Sequence, residues 1–282
     1  MHETGGHPRR PTRTDHVVRD TGAVTGSRLL HFLPLEHYRR AHDRIAPPTL
    51  DTEGFVHCSP DLTTTLAVAN TRFTGSAEPM VAVELDTAAL SAPVRWEAPD
   101  PAPPGGVASD VLFPHVYGPL ELSAVTRIHY ARRDLRGNYL DLLLRPGTAE
   151  EFDLLPHPEG GWYRRTWASP VPVRVGDSAT RPTATAIQFL LTGGQSSDWH
   201  TVSSDELWFA HRGELTLWLG GPDSTTSDTG AESVRLGLGD RARPQVVVPA
   251  GTWQRAEADA DSEALISCVV SPGFDFADFT AL

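Results

Sequence analysis

Gly194-Gln-Ser-Ser-Asp198-Trp-His200-Thr-Val202-Ser-Ser-Asp205-Glu206-Leu-Trp208-Phe-Ala-His211-Arg-Gly213 is the stretch whose reading decides the fold. Glycines bracket it, and between them lie a histidine, an apolar residue two positions later and a carboxylate four positions after that. Extended chain puts alternate residues on opposite faces, so Glu206 and Trp208 share a face and His211 takes the other. Outward from it the same texture continues. Thr183–Leu191 is apolar enough for a strand buried on both faces. Leu215-Thr-Leu217-Trp-Leu219 alternates with a period of two. Gln245–Val248 and Ala264–Val270 are further apolar runs, and residues 221–232 are turn-forming. Many short strands between Gly/Pro turns read as a β-sandwich or barrel.

The 282 residues are enough for two domains. Hydrophobic residues make up 39% and charged residues 21%, the composition of a globular protein. No apolar run is long enough to cross a membrane, and the N-terminus has no signal-peptide pattern. The formal net charge of -12 argues against a nucleic-acid partner, because phosphate binding needs a basic footprint. Two distant cysteines, Cys58 and Cys268, make no disulfide framework, which fits a reducing cytoplasm.

Residues 1–27 lack periodicity and read as a disordered tail. Residues 28–135 then alternate short strands with two helical stretches, 35–43 and Leu62–Phe73, the second with Asp61 or Ser59 as cap. His57 and Ser59 stand two apart on one extended segment, and His115 and Tyr117 on another. Two such pairs, with His31, suggest a polar pocket for a hydroxyl-rich or amide-bearing ligand. A histidine on a mixed strand is also commonly a structural residue satisfied by backbone groups. Residues 136–151 read as a connector with a short docking segment, which could already begin the second domain, and 152–282 hold the β-rich domain.

Leu30-His31, Glu53-Gly-Phe-Val-His57-Cys-Ser59, Val68-Ala-Asn70 and Phe113-Pro-His115-Val-Tyr117-Gly-Pro-Leu120 together resemble a small bacterial domain of unknown function grouped with the ADP-ribosyltransferase fold. The resemblance implies an α+β domain in which His31 holds an NAD ribose, with His57, Ser59, His115 and Tyr117 as further cofactor-binding candidates. The transferase glutamate has no counterpart beyond the nearby Glu121.

His157-Pro-Glu159-Gly-Gly161, Ser204-Asp205-Glu206-Leu-Trp208, Val248-Pro249-Ala-Gly251-Thr-Trp253 and Ser271-Pro272-Gly273-Phe274-Asp275-Phe276 resemble a cupin subfamily. This implies an all-β cupin barrel, a double-stranded β-helix, and a homodimer formed through it. The cupin signatures place possible ligands for a divalent metal at His200, Glu206 and Gln254. Val202 replaces the second histidine, Asp198 stands where the subfamily often has another, and Arg243 replaces a signature glycine. One imidazole, one carboxylate and one amide make a weak transition-metal site. Three readings follow. One is a metal-dependent oxygenase or isomerase. Another is a metal-free sugar or nucleotide-sugar isomerase or epimerase, with His200 as base and Tyr163 as acid. The third is a barrel that binds a small molecule without turnover, its pocket made by His200, Glu206, Gln254, Gln188 and Trp208. Action on NAD or another nucleotide through the first domain is the alternative centre of function. Trp162, Trp167, Trp208, Trp218 and Trp253 are expected chiefly in the core.

Overall fold

A computed structural model describes residues 27–100, 102–176, 179–220 and 231–281. The tail expected over 1–27 lies outside them apart from Ser27, as does most of the loop expected over 221–232. The described chain is mostly β.

In the N-terminal region Arg44–Ile45 pairs separately with Leu120–Glu121, and the strands of the two larger sheets are β1 (Arg28–Pro34), β2 (Val56–His57), β3 (Met80–Asp86), β4 (Val94–Glu97), β5 (Phe113–Val116), β6 (Val125–Arg133) and β7 (Tyr139–Leu144). They form a four-stranded antiparallel sheet, β1-β3-β6-β7, and a three-stranded one, β2-β5-β4. Strand β3 is central and apolar: Met80 to Leu85 is buried at every position. Helix α1 (Leu35–Arg40) follows β1 directly and ends earlier than the sequence indicates, because Ala41 is already extended. Helix α2 (Thr49–Glu53) is a single turn closed by Gly54 in the left-handed region. Helix α3 (Leu62–Arg72) begins where Asp61 accepts the Thr64 N–H at 2.7 Å, the cap expected for it. It packs on the first sheet, where Phe32, Phe73 and Tyr139 meet edge to face.

The stretch 136–151, read above as a connector, is built into the structure. Strand β7 pairs with β6 as the fourth strand of the first sheet. Asn70 on α3 fastens it, giving its amide to Tyr139 O and accepting the Tyr139 N–H, at 2.9 and 2.8 Å. Tyr139–Leu144 is the docking segment of that stretch, a half-buried edge strand with no strict alternation.

The C-terminal strands are β8 (Leu155–Pro156), β9 (Trp162–Ala168), β10 (Thr185–Leu191), β11 (His200–Val202), β12 (Asp205–Arg212), β13 (Leu215–Leu219), β14 (Glu232–Leu236), β15 (Gln245–Val248), β16 (Gln254–Ala258), β17 (Ala264–Ser271) and β18 (Phe279–Ala281). Two antiparallel sheets face one another: β8-β9-β10-β17-β12-β15 and β14-β13-β16-β11-β18. Leu215 and Leu217 point inward with Leu191, Ile266 and Ala256, as the alternation requires. Trp162, Trp208 and Trp253 are buried, whereas Trp167 is 49% exposed, against expectation, beyond an irregularity in β9.

The two regions share a core. Trp162, Leu190 and Leu265 from the large β-sheet pack with Leu29, Val83 and Tyr130 of the first sheet. The Trp162 and Tyr130 rings meet edge to face at 6.1 Å. At the periphery Thr148 bonds Glu263 at 2.5 Å. No helix among the described residues is long and apolar enough to cross a membrane.

Candidate functional site in the barrel

A cavity of about 420 Å³ opens between the two C-terminal sheets. Its walls are apolar, with Ile187, Phe189, Val202, Val270, Phe274 and Phe279 among them. Polar groups gather at one part of the lining: His157, Glu159, His200 and Glu206, all 9% exposed or less. Strand parity explains the selection on β12, where Glu206 and Trp208 face in together. His211 lies outside, bonded to Ser267 Oγ at 2.7 Å.

The central contact is between His200 and Glu159. His200 Nδ1 lies 2.9 Å from Asp198 O and 3.1 Å from Glu159 Oε2. A backbone carbonyl only accepts, so Nδ1 carries the proton and Nε2 is the bare acceptor. Phe279 stacks on the ring, at 5.4 Å between centroids and 26° between planes. Burial lowers the His200 pKa to about 4, offset in part by the Asp198 bond, so the ring is neutral at pH 7. His157 is likewise driven down to about 3, by burial and then by His200. Its Nδ1 accepts the Glu159 N–H at 3.3 Å. Its ring meets Tyr163 edge to face at 4.5 Å.

Glu159 sits well above the usual carboxyl range, first through burial and then through Glu206 and Asp198. With Oε2 facing the His200 N–H, the acid proton belongs on Oε1, a buried atom without a protein partner among the described residues. Glu206 is also raised by burial, partly offset by bonds from Gln254, Cys268 and Trp208. The site thus presents two imidazoles that are neutral at pH 7 and two carboxyls shifted toward their protonated forms.

The turn that delivers His157 and Glu159 depends on its glycines. Gly160 and Gly161 have φ of +104° and +73°. A Cβ on Gly160 would lie 2.7 Å from Ser196 O, and one on Gly161 the same distance from Leu190 O. The sequence showed this motif, but its histidine and glutamate were not among the expected site residues. The signal lay in a histidine and a carboxylate held beside two glycines at the start of a strand.

Of the remaining expected residues, Tyr163 and Trp208 line the cavity. Gln188 does not: Thr185, Ile187 and Phe189 face the cavity, so alternation turns Gln188 to the other side of β10. Gln254 stands behind Glu206, giving its amide N–H to Oε2 at 2.5 Å. His200, Glu206 and Gln254 therefore come together, His200 and Gln254 as direct cross-strand partners, but not as a metal shell. The Gln254 amide N–H is already given to Glu206, and Gln254 does not line the cavity, so one of the three expected donors is turned away from any ion held there. Among the described residues no group of three His, Cys, Asp or Glu side chains is placed to hold a metal ion. This donor set does not fit a transition metal.

In the N-terminal region His31, His57, Ser59 and His115 line a second cavity of about 1200 Å³. His57 and His115 are cross-strand partners with ring centroids 5.1 Å apart. Tyr117 is not in the lining. Its hydroxyl donates to Glu97 at 3.0 Å, and His115 Nδ1 lies 2.7 Å from the same carboxylate.

These features agree with the comparisons. Residues 147–282 match the family model described as "Cupin superfamily (DUF985)", and the chain belongs to the cupin family through this region. Residues 34–128 match the model described as "Protein of unknown function (DUF952)". Protein SO0799 from Shewanella oneidensis is 32% identical over 48% of this chain and 82% of that one, with a TM-score of 0.42. A hypothetical protein from Leishmania major is 30% identical over 48% and 84%, also at 0.42. A cupin-like protein from Thermotoga maritima is 14% identical over 44% and 76%, at 0.32. No curated protein matches.

Proposed function

We propose that the cupin cavity is the active site of a metal-independent acid–base enzyme, an isomerase or epimerase acting on a small hydroxylated carbonyl compound. The observation that carries this reading is the His200–Glu159 pair, whose geometry leaves an unprotonated Nε2 on a neutral ring in the lining of the cavity. His200 Nε2 takes the proton from the carbon beside the carbonyl. Glu159, held neutral, donates from Oε1 to the carbonyl oxygen as negative charge develops there. Tyr163, whose phenol burial keeps protonated, returns a proton to the carbon as the enol O–H goes back to Glu159, and the proton left on His200 is exchanged through solvent to restore the Tyr163 phenol.

The test is solvent-deuterium incorporation, followed by NMR, in a panel of hydroxy aldehydes, hydroxy ketones and uronates. Label is expected beside the carbonyl with the wild-type protein, with or without a chelator. Exchange abolished by chelation, or undiminished in His200→Asn, would overturn the reading.

The protonation states also predict how stability depends on pH. Glu206 has a folded pKa above its ordinary 4.5, so its contribution is present below pH 4.5 and is lost as pH rises above it. Glu206→Gln removes that loss. The variant's stability relative to wild type is expected to improve as pH rises from about 4.5 to 8. Urea melts across that range check it, and a constant difference contradicts it. The depressed His31, His157 and His200 act oppositely. Their contribution is complete above pH 6.5 and lost as pH falls toward about 4.

A further inference from the structure

The larger cavity has a chemistry of its own. At its buried side His31 is 7% exposed, and its Nδ1 donates to His57 O at 2.9 Å. That fixes the tautomer and leaves Nε2 as an acceptor, buried and without a partner among the described residues. Leaving a buried acceptor unpaired is unfavourable, so a donor from a ligand would relieve it. Ser59, 5% exposed, lines the cavity beside it.

The open side is cationic in a chain whose net charge is -12. Arg44 and Arg72 line the cavity, both exposed; Arg44 stands across a strand pair from Glu121, whose carboxyl it helps hold ionised, and no ion pair within 4.0 Å is formed by either among the described residues. Arg40 adds a third guanidinium, 3.8 Å from Glu36. Of the acidic residues in the lining, Glu53 is already bound to His57 at 2.8 Å, which leaves Asp100 as the counterweight. Guanidinium groups recognise phosphate and carboxylate through paired N–H donors.

We propose that this cleft binds an anionic small molecule, its phosphate or carboxylate held by Arg44 and Arg72 and its neutral end giving an O–H or N–H to His31 Nε2. An expectation of NAD here rests on the family resemblance alone; the residues themselves specify an anion and a donor. The site is separate from the cupin cavity, so either can fail without the other.

Two matched pairs of probes test it by calorimetric titration of the full chain: AMP against adenosine, and glucuronate against glucose. At least one anion is expected to bind with Kd below about 1 mM, and its uncharged counterpart at least about tenfold more weakly. The AMP and glucuronate arms separate phosphate from carboxylate. Arg44→Ser/Arg72→Ser alters exposed side chains only, so its melting temperature without ligand should match wild type. It should weaken the anion by at least about tenfold, and His31→Phe should weaken it as well. No anion binding up to about 1 mM, equal binding of the uncharged counterpart, or undiminished binding to the double arginine variant would each overturn the proposal.

Discussion

His200→Asn should cut deuterium exchange into the cavity's substrate by about two to four orders of magnitude, the usual contribution of a positioned general base. Asparagine keeps a polar side chain of similar reach but offers no imidazole lone pair. The wild-type acid limb should lie near pH 4, where His200 gains its proton, and not near 6.5. Glu159→Gln tests the partner. It keeps a neutral hydrogen-bonding group beside Nδ1, so the fold and the tautomer should persist. The rate should fall less than in His200→Asn, because an amide donates more weakly than a carboxylic acid to a developing oxyanion. Equal rates in wild type and His200→Asn would remove His200 from the chemistry.

Trp162→Ala should destabilise the whole described structure by about 3–5 kcal/mol, the range for deleting a buried large aromatic. Trp162 is 2% exposed and comes from the C-terminal sheet. It packs in the same cluster as Leu29, Val83 and Leu85 of the N-terminal sheet. Domains of this kind have roughly 5–15 kcal/mol in total, so the loss is a large share. Because the aromatic belongs to both packing surfaces, the N-terminal strands should lose protection against hydrogen exchange along with the barrel. A loss confined to residues 152–282 would show that the shared core contributes little.

Most of the barrel was legible because its signals are local. Alternation in Leu215–Leu219 and the parity of Glu206 and Trp208 need only the period of an extended chain. The Asp61 cap on α3 was equally local. Strand β7 was legible only as a short docking segment, because an edge strand is held by pairing and by Asn70, a residue 69 positions from Tyr139. Gln188 was misplaced because an almost unbroken apolar run does not reveal which of its faces meets the cavity. Glu159 and His157 escaped for a related reason. Their roles arise when the Gly160–Gly161 turn brings them against His200, some forty positions away in sequence. Conversely, Val202 at a position where a histidine was looked for proved informative. It is part of the apolar wall, and the second imidazole in the lining is instead His157.

The most direct test of the account is the protonation state of His200, read from nitrogen-15 shifts of labelled histidine, with His200→Asn to assign the signal. At pH 7 we expect a neutral ring with its proton on Nδ1 and a bare Nε2, titrating near pH 4. A ring protonated on Nε2, or one that titrates near 6.5, would contradict the assignment of His200 as a poised base.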